Sequence, residues 1–441
     1  MSLETPEKIR TFQRKLYRKA KAEPEFRFYL LYDKICREDI LRHAYALAHA
    51  NAGAPGVDGV KFADIELSGL DEWLAGLREE LVSKTYRPAP VRRVMIPKPG
   101  GTGERPLGIP SIRDRVVQTA AKLVLEPIFE ADLEDSAYGY RPGRGATDAV
   151  KEVHRLTCRG YTNVVDADLS KYIDTIPHSD LLRSVSRRIV DRHVIRLIKM
   201  WLKAPIEERG SNGKRRITGG KRSTCGTPQG GVASPMLANL YMNRFLKHWR
   251  LTGRGEAFRA HVVSYADDFV ILSRGSATEA LAWTKAVMNK LGLTLNEAKT
   301  SLKDARKESF DFLGYRFGPH RFHKDGSWYL GASPSKKSVL RIKTKISEIL
   351  VPSNTGTWPD VRDRLNSLLI GWSAYFSYGT RLQAYRAVDN HVYDRVRHFL
   401  ARRHKVRGRG TREFSHGHVF GPLGVLRLRR VHIGPPPCAS R

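Results

Sequence analysis

The chain is poor in cysteine, in acidic residues and in long apolar runs. Four cysteines are spread over 441 residues (Cys36, Cys158, Cys225 and Cys438), and no two form a Cys-x-x-Cys pair. That spacing argues against a disulfide framework and against a structural zinc site, and it favours an intracellular compartment. No stretch approaches the ~20 consecutive apolar residues of a spanning helix, so no membrane span is expected. The opening residues, Met1-Ser-Leu-Glu-Thr-Pro6, hold no apolar segment of the kind a secretory signal needs. Fixed-period repeats and long low-complexity tracts are missing too.

Negative charge is what the chain lacks most. Against 77 Lys+Arg stand 45 Asp+Glu, a formal net charge of +32. Such an excess repels itself unless a polyanion neutralises it, which makes nucleic acid the first partner to consider and an anionic membrane surface the second. The hydrophobic fraction of 41% and aromatic fraction of 9% suffice for an ordinary core, so wholesale disorder is excluded. The length suggests about two to four compact units.

Helical patterns are expected over Lys8–Lys21, Phe28–His49 and Leu70–Leu81, with a Gly/Pro loop at residues 51–59. Val91–Pro97 and Leu107–Pro110 form a predicted hairpin around the glycine turn at 99–103. A helix over Asp114–Phe129 follows. Three short apolar runs then carry carboxylates or glycine: Thr162–Asp168, His261–Leu272 and Phe310–Phe317. Helical stretches over Asp180–Lys203, Ser234–Trp249 and Thr278–Leu291 separate them. This irregular order predicts an α+β fold and not a doubly wound sheet. Residues 338–404 read as helical with an interruption at Pro352–Pro359, and Arg402–Arg430 is dense in arginine.

The sharpest local feature is Tyr265-Ala-Asp-Asp268 between two apolar strands, which places adjacent carboxylates at a hairpin turn. Such neighbours repel unless a cation or water lies between them. Taken alone, a solvated Asp-Asp turn accounts for the tetrapeptide equally well. A second apolar strand, however, ends at Asp168. If both strands share one sheet, Asp168, Asp267 and Asp268 converge at its edge, and three hard oxygen donors suit Mg²⁺. Two such ions would activate a primer hydroxyl and stabilise departing pyrophosphate.

An ordered set of motifs accompanies these acids: Pro55-Gly-Val-Asp-Gly59, Ile96-Pro-Lys-Pro-Gly-Gly101, Arg105-Pro-Leu-Gly-Ile-Pro110, Tyr138-Gly-Tyr-Arg-Pro-Gly143, Asp168-Leu-Ser-Lys-Tyr172, Thr227-Pro-Gln-Gly-Gly231, Leu291-Gly-Leu-Thr-Leu-Asn296 and Phe312-Leu-Gly-Tyr315. The set resembles the reverse transcriptases of group II intron type, also called maturases, from about residue 45 to 430. The resemblance implies a right-hand polymerase with fingers, an antiparallel palm and an α-helical thumb. It implies catalytic, metal-binding roles for Asp168, Asp267 and Asp268, with two Mg²⁺ ions (Mn²⁺ as a substitute), Asp268 acting less directly. Asp166 and Asp174, which flank the first position, are expected to be surface or capping carboxylates. Lys98 and Arg105 would hold the nucleotide triphosphate, and Gln229 would lie against the nucleotide. A solvated basic loop is the plainer reading of Lys98 and Arg105. Arg141 would brace the template, although a structural ion pair accounts for it nearly as well. Where the family carries Phe or Tyr to block a ribose 2′-OH, this chain has Ile173, so weakened deoxynucleotide selectivity is expected.

The implied units are residues 1–90 (N-terminal extension and start of the fingers), 91–335 (fingers and palm), 336–405 (thumb, or domain X) and 406–441 (a basic nucleic-acid-binding segment). Arg362, Arg364, Arg402, Arg403 and Arg407 are candidate nucleic-acid contacts. Leu368, Leu369, Trp372 and Phe376 are expected in the thumb core. The implied activity is RNA-directed DNA synthesis, with an RNA template, a DNA or RNA primer, dNTPs and a group II intron RNA as partners. A free-standing relative in repair or phage defence, and a splicing-only RNA-binding maturase, stay open beside it. No zinc-dependent endonuclease segment is expected.

Overall fold

A computed structural model describes residues 3–97, 103–209, 214–220, 222–322 and 325–430. Lys98 and Cys438 lie outside the described residues. Among the described residues the chain is α+β, with three sheets and a helical C-terminal unit.

Helix Glu7–Ala22 buries Ile9, Leu16 and Ala20 and is tied to helix Ile112–Glu130 by Gln13 Nε2, which donates to Leu123 O at 2.9 Å. The expected helix over Phe28–His49 divides into Tyr32–Ile35 and Glu38–Ala50. Asp191 fixes where the first of them begins. Its buried carboxylate accepts from the backbone N–H groups of Leu31 and Tyr32, both at 2.9 Å. The same carboxylate caps helix Arg192–Leu202 through His193 N and Val194 N, so the expected helix over Asp180–Lys203 is also two, His178–Ser186 and Arg192–Leu202. Side-chain capping of this kind outcompetes helix continuation.

The hairpin β1 (Val91–Pro97) and β2 (Glu104–Ile109) pairs antiparallel. Two strands that the apolar pattern did not signal, β4 (Pro205–Arg209) and β5 (Arg215–Gly219), extend it into a four-stranded sheet, with β1 parallel to β4. Their sequences are too charged to show an apolar alternation.

The central sheet is antiparallel, ordered β6 (Ala260–Tyr265), β7 (Asp268–Ser273), β3 (Asn163–Asp168) and β8 (Ser301–Asp304). Its two faces follow from the period of two along a strand. Val165, Ala167, Phe269 and Ile271 join the main core, where Phe245 of helix Ser234–Leu251 packs 5.7 Å from Phe269. Val164, Val263, Val270 and Leu272 join a second core beneath helix Ala146–Cys158. Asp166, Asp168 and Asp268 continue this second face.

The run Phe310–Phe317 is not one strand. It folds back at Leu313-Gly314, both at positive φ (49° and 78°), into β9 (Phe310–Phe312) and β10 (Tyr315–Arg321), which pair with each other, and β10 also pairs with β11 (Trp328–Pro334) in a separate sheet.

Ser335 caps helix Lys336–Ile349, and helices Trp358–Tyr375 and Leu382–Arg403 complete a separate core around Ile346, Leu365, Leu369, Val388 and Val392. The expected division at 405/406 is not a packing boundary. Phe414, Val419, Val425 and Leu428 are buried in that same core, and fully buried Asp389 accepts from Leu428 N at 2.9 Å. Arginine density concealed a segment whose widely spaced apolar residues close the core of the C-terminal helices. Among the described residues no helix is long and apolar enough to cross a membrane.

Candidate active site

The β6–β7 hairpin reverses through Ala266 and Asp267, with Tyr265 paired to Asp268 and Ala266 at φ 58°. A non-glycine residue at such a φ is strained and needs support from its surroundings. Support comes from the Tyr138–Gly143 motif: Tyr138 N donates to Ser264 O at 2.8 Å, and Gly139 lies so close that a Cβ there would stand 2.5 Å from Ala266 N. Tyr140 is 6.5 Å from Tyr265, ring to ring.

Across the ladder Asp168 stands directly opposite Asp268, at the strand spacing of about 5 Å. The end of β3 and the β6–β7 turn thus bring Asp168, Asp267 and Asp268 to one end of one sheet face. The electrostatics of the group follow from this placement. Burial in the cleft floor, then the charge of Asp168, raises the Asp267 pKa. For Asp268, burial followed by repulsion from Asp267, Asp168 and Asp166 pushes the pKa up to about 6. Asp268 is nevertheless open to water from the cleft, so a cation can reach it.

Two residues that the sequence reading did not assign hold Asp168. Lys299 Nζ lies 3.0 Å and Asn296 Nδ2 3.2 Å from Asp168 Oδ2; Asn296 N also donates to Asp168 O at 2.8 Å. Asn296 closes the Leu291–Asn296 motif, which thereby acquires a structural meaning. Among the described residues no three Asp, Glu, His or Cys side chains converge closely enough to hold a metal as they stand. The donor chemistry fits a hard divalent cation, because three mutually repelling carboxylates need one.

A carboxyl whose pKa is raised on folding holds its proton more tightly in the folded state. Its contribution to stability is full below the ordinary value of 3.8 and is lost as pH rises to about 6. Melting of metal-free protein between pH 7 and pH 5 is therefore expected to shift upward for the wild type relative to Asp268→Asn. Parallel melting curves across that range would contradict the shift.

Arg105 lies on β2, exposed to solvent. Gln229 is held by Asp174, whose Oδ2 accepts from Nε2 at 2.8 Å, and Gln229 O accepts from Gly108 N at 2.5 Å. Asp174 is thus a partner of the Pro-Gln-Gly loop and not merely a surface acid. Asp166 pairs with Lys303 at 3.5 Å. Ile173 is partly buried against the main core, and its carbonyl accepts from Thr227 N at 2.9 Å.

Arg141 is a correction. Its side chain is 4% exposed and bonds Glu130, while Nη1 donates to the carbonyls of Glu134 and Ala137. With its side chain buried and four of its five N–H groups bonded inward, it takes the structural ion-pair role and braces the loop beneath the Tyr265–Asp268 turn. Arg141→Ala leaves Glu130 without its partner and is expected to cost about 3–5 kcal/mol in denaturant unfolding; a loss under 1 kcal/mol would contradict this assignment.

In the helical C-terminal unit Leu369 is buried as expected, with Leu368 and Trp372 partly buried beside it; Phe376 is buried too, but in the second core beneath the central sheet and not in that of the C-terminal helices. Arg364, Arg402, Arg403 and Arg407 are exposed. Arg362 pairs with Asp363 at 2.8 Å. Arg402 and Arg403 line a cleft of about 450 Å³ together with Arg395 and His398, and Arg403 Nη1 donates to Gly356 O at 2.7 Å.

Comparison with known proteins identifies the family. Residues 96–317 match the reverse transcriptase (RNA-dependent DNA polymerase) family, and residues 339–414 match the group II intron maturase-specific domain. The chain belongs to the reverse transcriptases of group II intron type. Protein YkfC of Escherichia coli K12 is 34% identical to this reverse transcriptase over 345 residues, covering 70% of this chain and 88% of YkfC. The group II intron-encoded protein LtrA of Lactococcus lactis is 34% identical over 228 residues, half of this chain and 35% of LtrA. A looser backbone likeness is to the telomerase of Candida albicans (TM-score 0.44, 12% identity, 82% of this chain and 71% of that one). Reverse transcriptases use divalent metal ions, and the maturase-specific domain points to RNA as a partner.

Proposed function

We propose that this reverse transcriptase extends a primer on an RNA template at Asp168, Asp267 and Asp268. The observation that carries this reading is the pairing of Asp168 with Asp268 across β3 and β7, with Asp267 in the adjoining turn. These carboxylates would hold two Mg²⁺ ions, which when bound lower the pKa of a primer 3′-OH and neutralise the departing pyrophosphate. The chain's own contributions are positional. Asp168 and Asp267 fix where the cations sit. Arg105 offers a planar fork to the triphosphate, Lys98, which lies outside the described residues, is a second candidate cation for it, and Gln229, steadied by Asp174, lines the nucleotide. Arg362, Arg364, Arg402, Arg403 and Arg407 supply a basic thumb surface for the RNA backbone, including that of an intron.

RNA-templated primer extension by the purified chain with dNTPs and Mg²⁺ tests the reading. Product that disappears with a chelator supports it, and no product over a range of hybrids would overturn it. The sugar gate has its own test. Ile173 fills less space than an aromatic ring, so Ile173→Phe is expected to raise dNTP-over-rNTP discrimination by roughly tenfold or more, the value of about 1.4 kcal/mol of steric exclusion. Unchanged discrimination would remove Ile173 from that role.

A further inference from the structure

The helices that cover the back of the central sheet bound a second cleft. Helices Ser234–Leu251 and Ala277–Lys290 lie on the Phe269/Ile271 face, opposite the one that carries Asp166, Asp168 and Asp268. On their outer side is a cavity of about 350 Å³, lined by Arg187, Arg244, Lys247, His248, Leu251, Val287, Lys290 and Leu291. Four permanent cations and a histidine ring its rim, and no lining residue is acidic. Among the described residues Arg187, Lys247 and Lys290 form no ion pair, and Lys247 acts on Asp132 only at longer range. Arg244 alone is paired, with Asp180 at 3.5 Å. The apolar lining is Leu251, Val287 and Leu291, with Leu251 66% exposed. At its side His248 is stacked 5.4 Å from Trp283 with the rings 15° apart.

We propose that this cleft binds an unpaired RNA nucleotide, separately from the primer–template path. The pattern of a cationic rim around an apolar floor matches an unstacked nucleotide, whose phosphates are anionic and whose base presents two apolar faces. Convergent cations repel one another, and a polyanion relieves that repulsion. The position on the reverse side of the sheet from the three carboxylates places the cleft outside the route of a primer terminus. An acidic peptide would satisfy the rim as well, but the net charge of +32 on a chain that carries a maturase-specific domain favours RNA.

Fluorescence anisotropy with a labelled single-stranded oligouridylate tests this, on full-length protein whose primer–template path is saturated with unlabelled RNA–DNA hybrid. The triple variant Arg187→Gln/Lys247→Gln/Lys290→Gln is expected to bind about tenfold or more weakly, with the salt slope reduced by about 2. Leu251→Asp, at an exposed position, is expected to weaken binding similarly, and both variants should extend primers at the wild-type rate. Four results would overturn the proposal: no oligouridylate binding once the hybrid is saturating, full affinity in the triple variant, equal displacement by a polyglutamate peptide, or extension lost in parallel with binding. None of them bears on the carboxylate site, which primer extension by the wild type tests separately.

Discussion

Asp267→Asn is expected to lower the single-turnover rate of nucleotide addition on an RNA template by about a thousandfold or more. A carboxylate that fixes a catalytic cation supplies several kcal/mol of transition-state stabilisation, and each 1.36 kcal/mol is worth about a factor of ten. The amide keeps the volume and removes the charge, so the fold should survive. Asp267 is held above its ordinary pKa by burial and then by Asp168, and the metal-free variant should melt no lower than the wild type. Loss of rate with a lower melting temperature would point to misfolding instead. Retention of rate would remove Asp267 from the site.

Gly139→Ala should act nearly as strongly without touching a charge. The new methyl would stand 2.5 Å from Ala266 N and 3.0 Å from the Tyr265 carbonyl carbon, both backbone atoms that cannot rotate away. Either the Tyr138–Gly143 loop or the Tyr265–Asp268 turn must move. Overpacking of this kind costs about 1–3 kcal/mol, and a displacement of roughly 1 Å at the reacting centre costs about a hundredfold in rate. The expected result is therefore a modest fall in unfolding free energy with a hundredfold fall in nucleotide addition at saturating dNTP. Activity near that of the wild type would show that the loop does not buttress the turn. Neighbouring Asn239, which donates to Gly139 O at 2.5 Å, limits how far the loop can retreat.

The parts of the fold and site legible in the sequence were those with a local signature. Apolar strands flanking Asp168 and the Tyr265–Asp268 turn placed β3, β6 and β7, and helical periodicity placed Ser234–Leu251 and Trp358–Tyr375. What escaped was settled by contacts between distant segments. One carboxylate, Asp191, fixes two helix starts at once: it caps its own helix, Arg192–Leu202, and accepts from Leu31 N, 160 residues away, where Tyr32–Ile35 begins, a contact that no local window contains. Strands β4 and β5 are too charged to alternate visibly, and β10 parts from β9 at a tight turn of two positive φ values. For Arg141 the sequence left a template contact and a structural ion pair side by side, and burial beside Glu130, 11 residues away, favours the ion pair. Lys299 and Asn296 hold Asp168 although nearly 130 residues separate them from it, and their spacing carries no metal-site signature.

The Lys299 contact also sets a requirement on the central claim. Asp168 Oδ2 already has two donors, so a cation must displace an ammonium to reach that oxygen. Electron paramagnetic resonance with Mn²⁺, on protein bound to an RNA–DNA hybrid and an unreactive dNTP analogue, measures this site directly. The account predicts two bound ions per chain in the wild type, with at least one lost in Asp168→Asn. An unchanged count in that variant would contradict it.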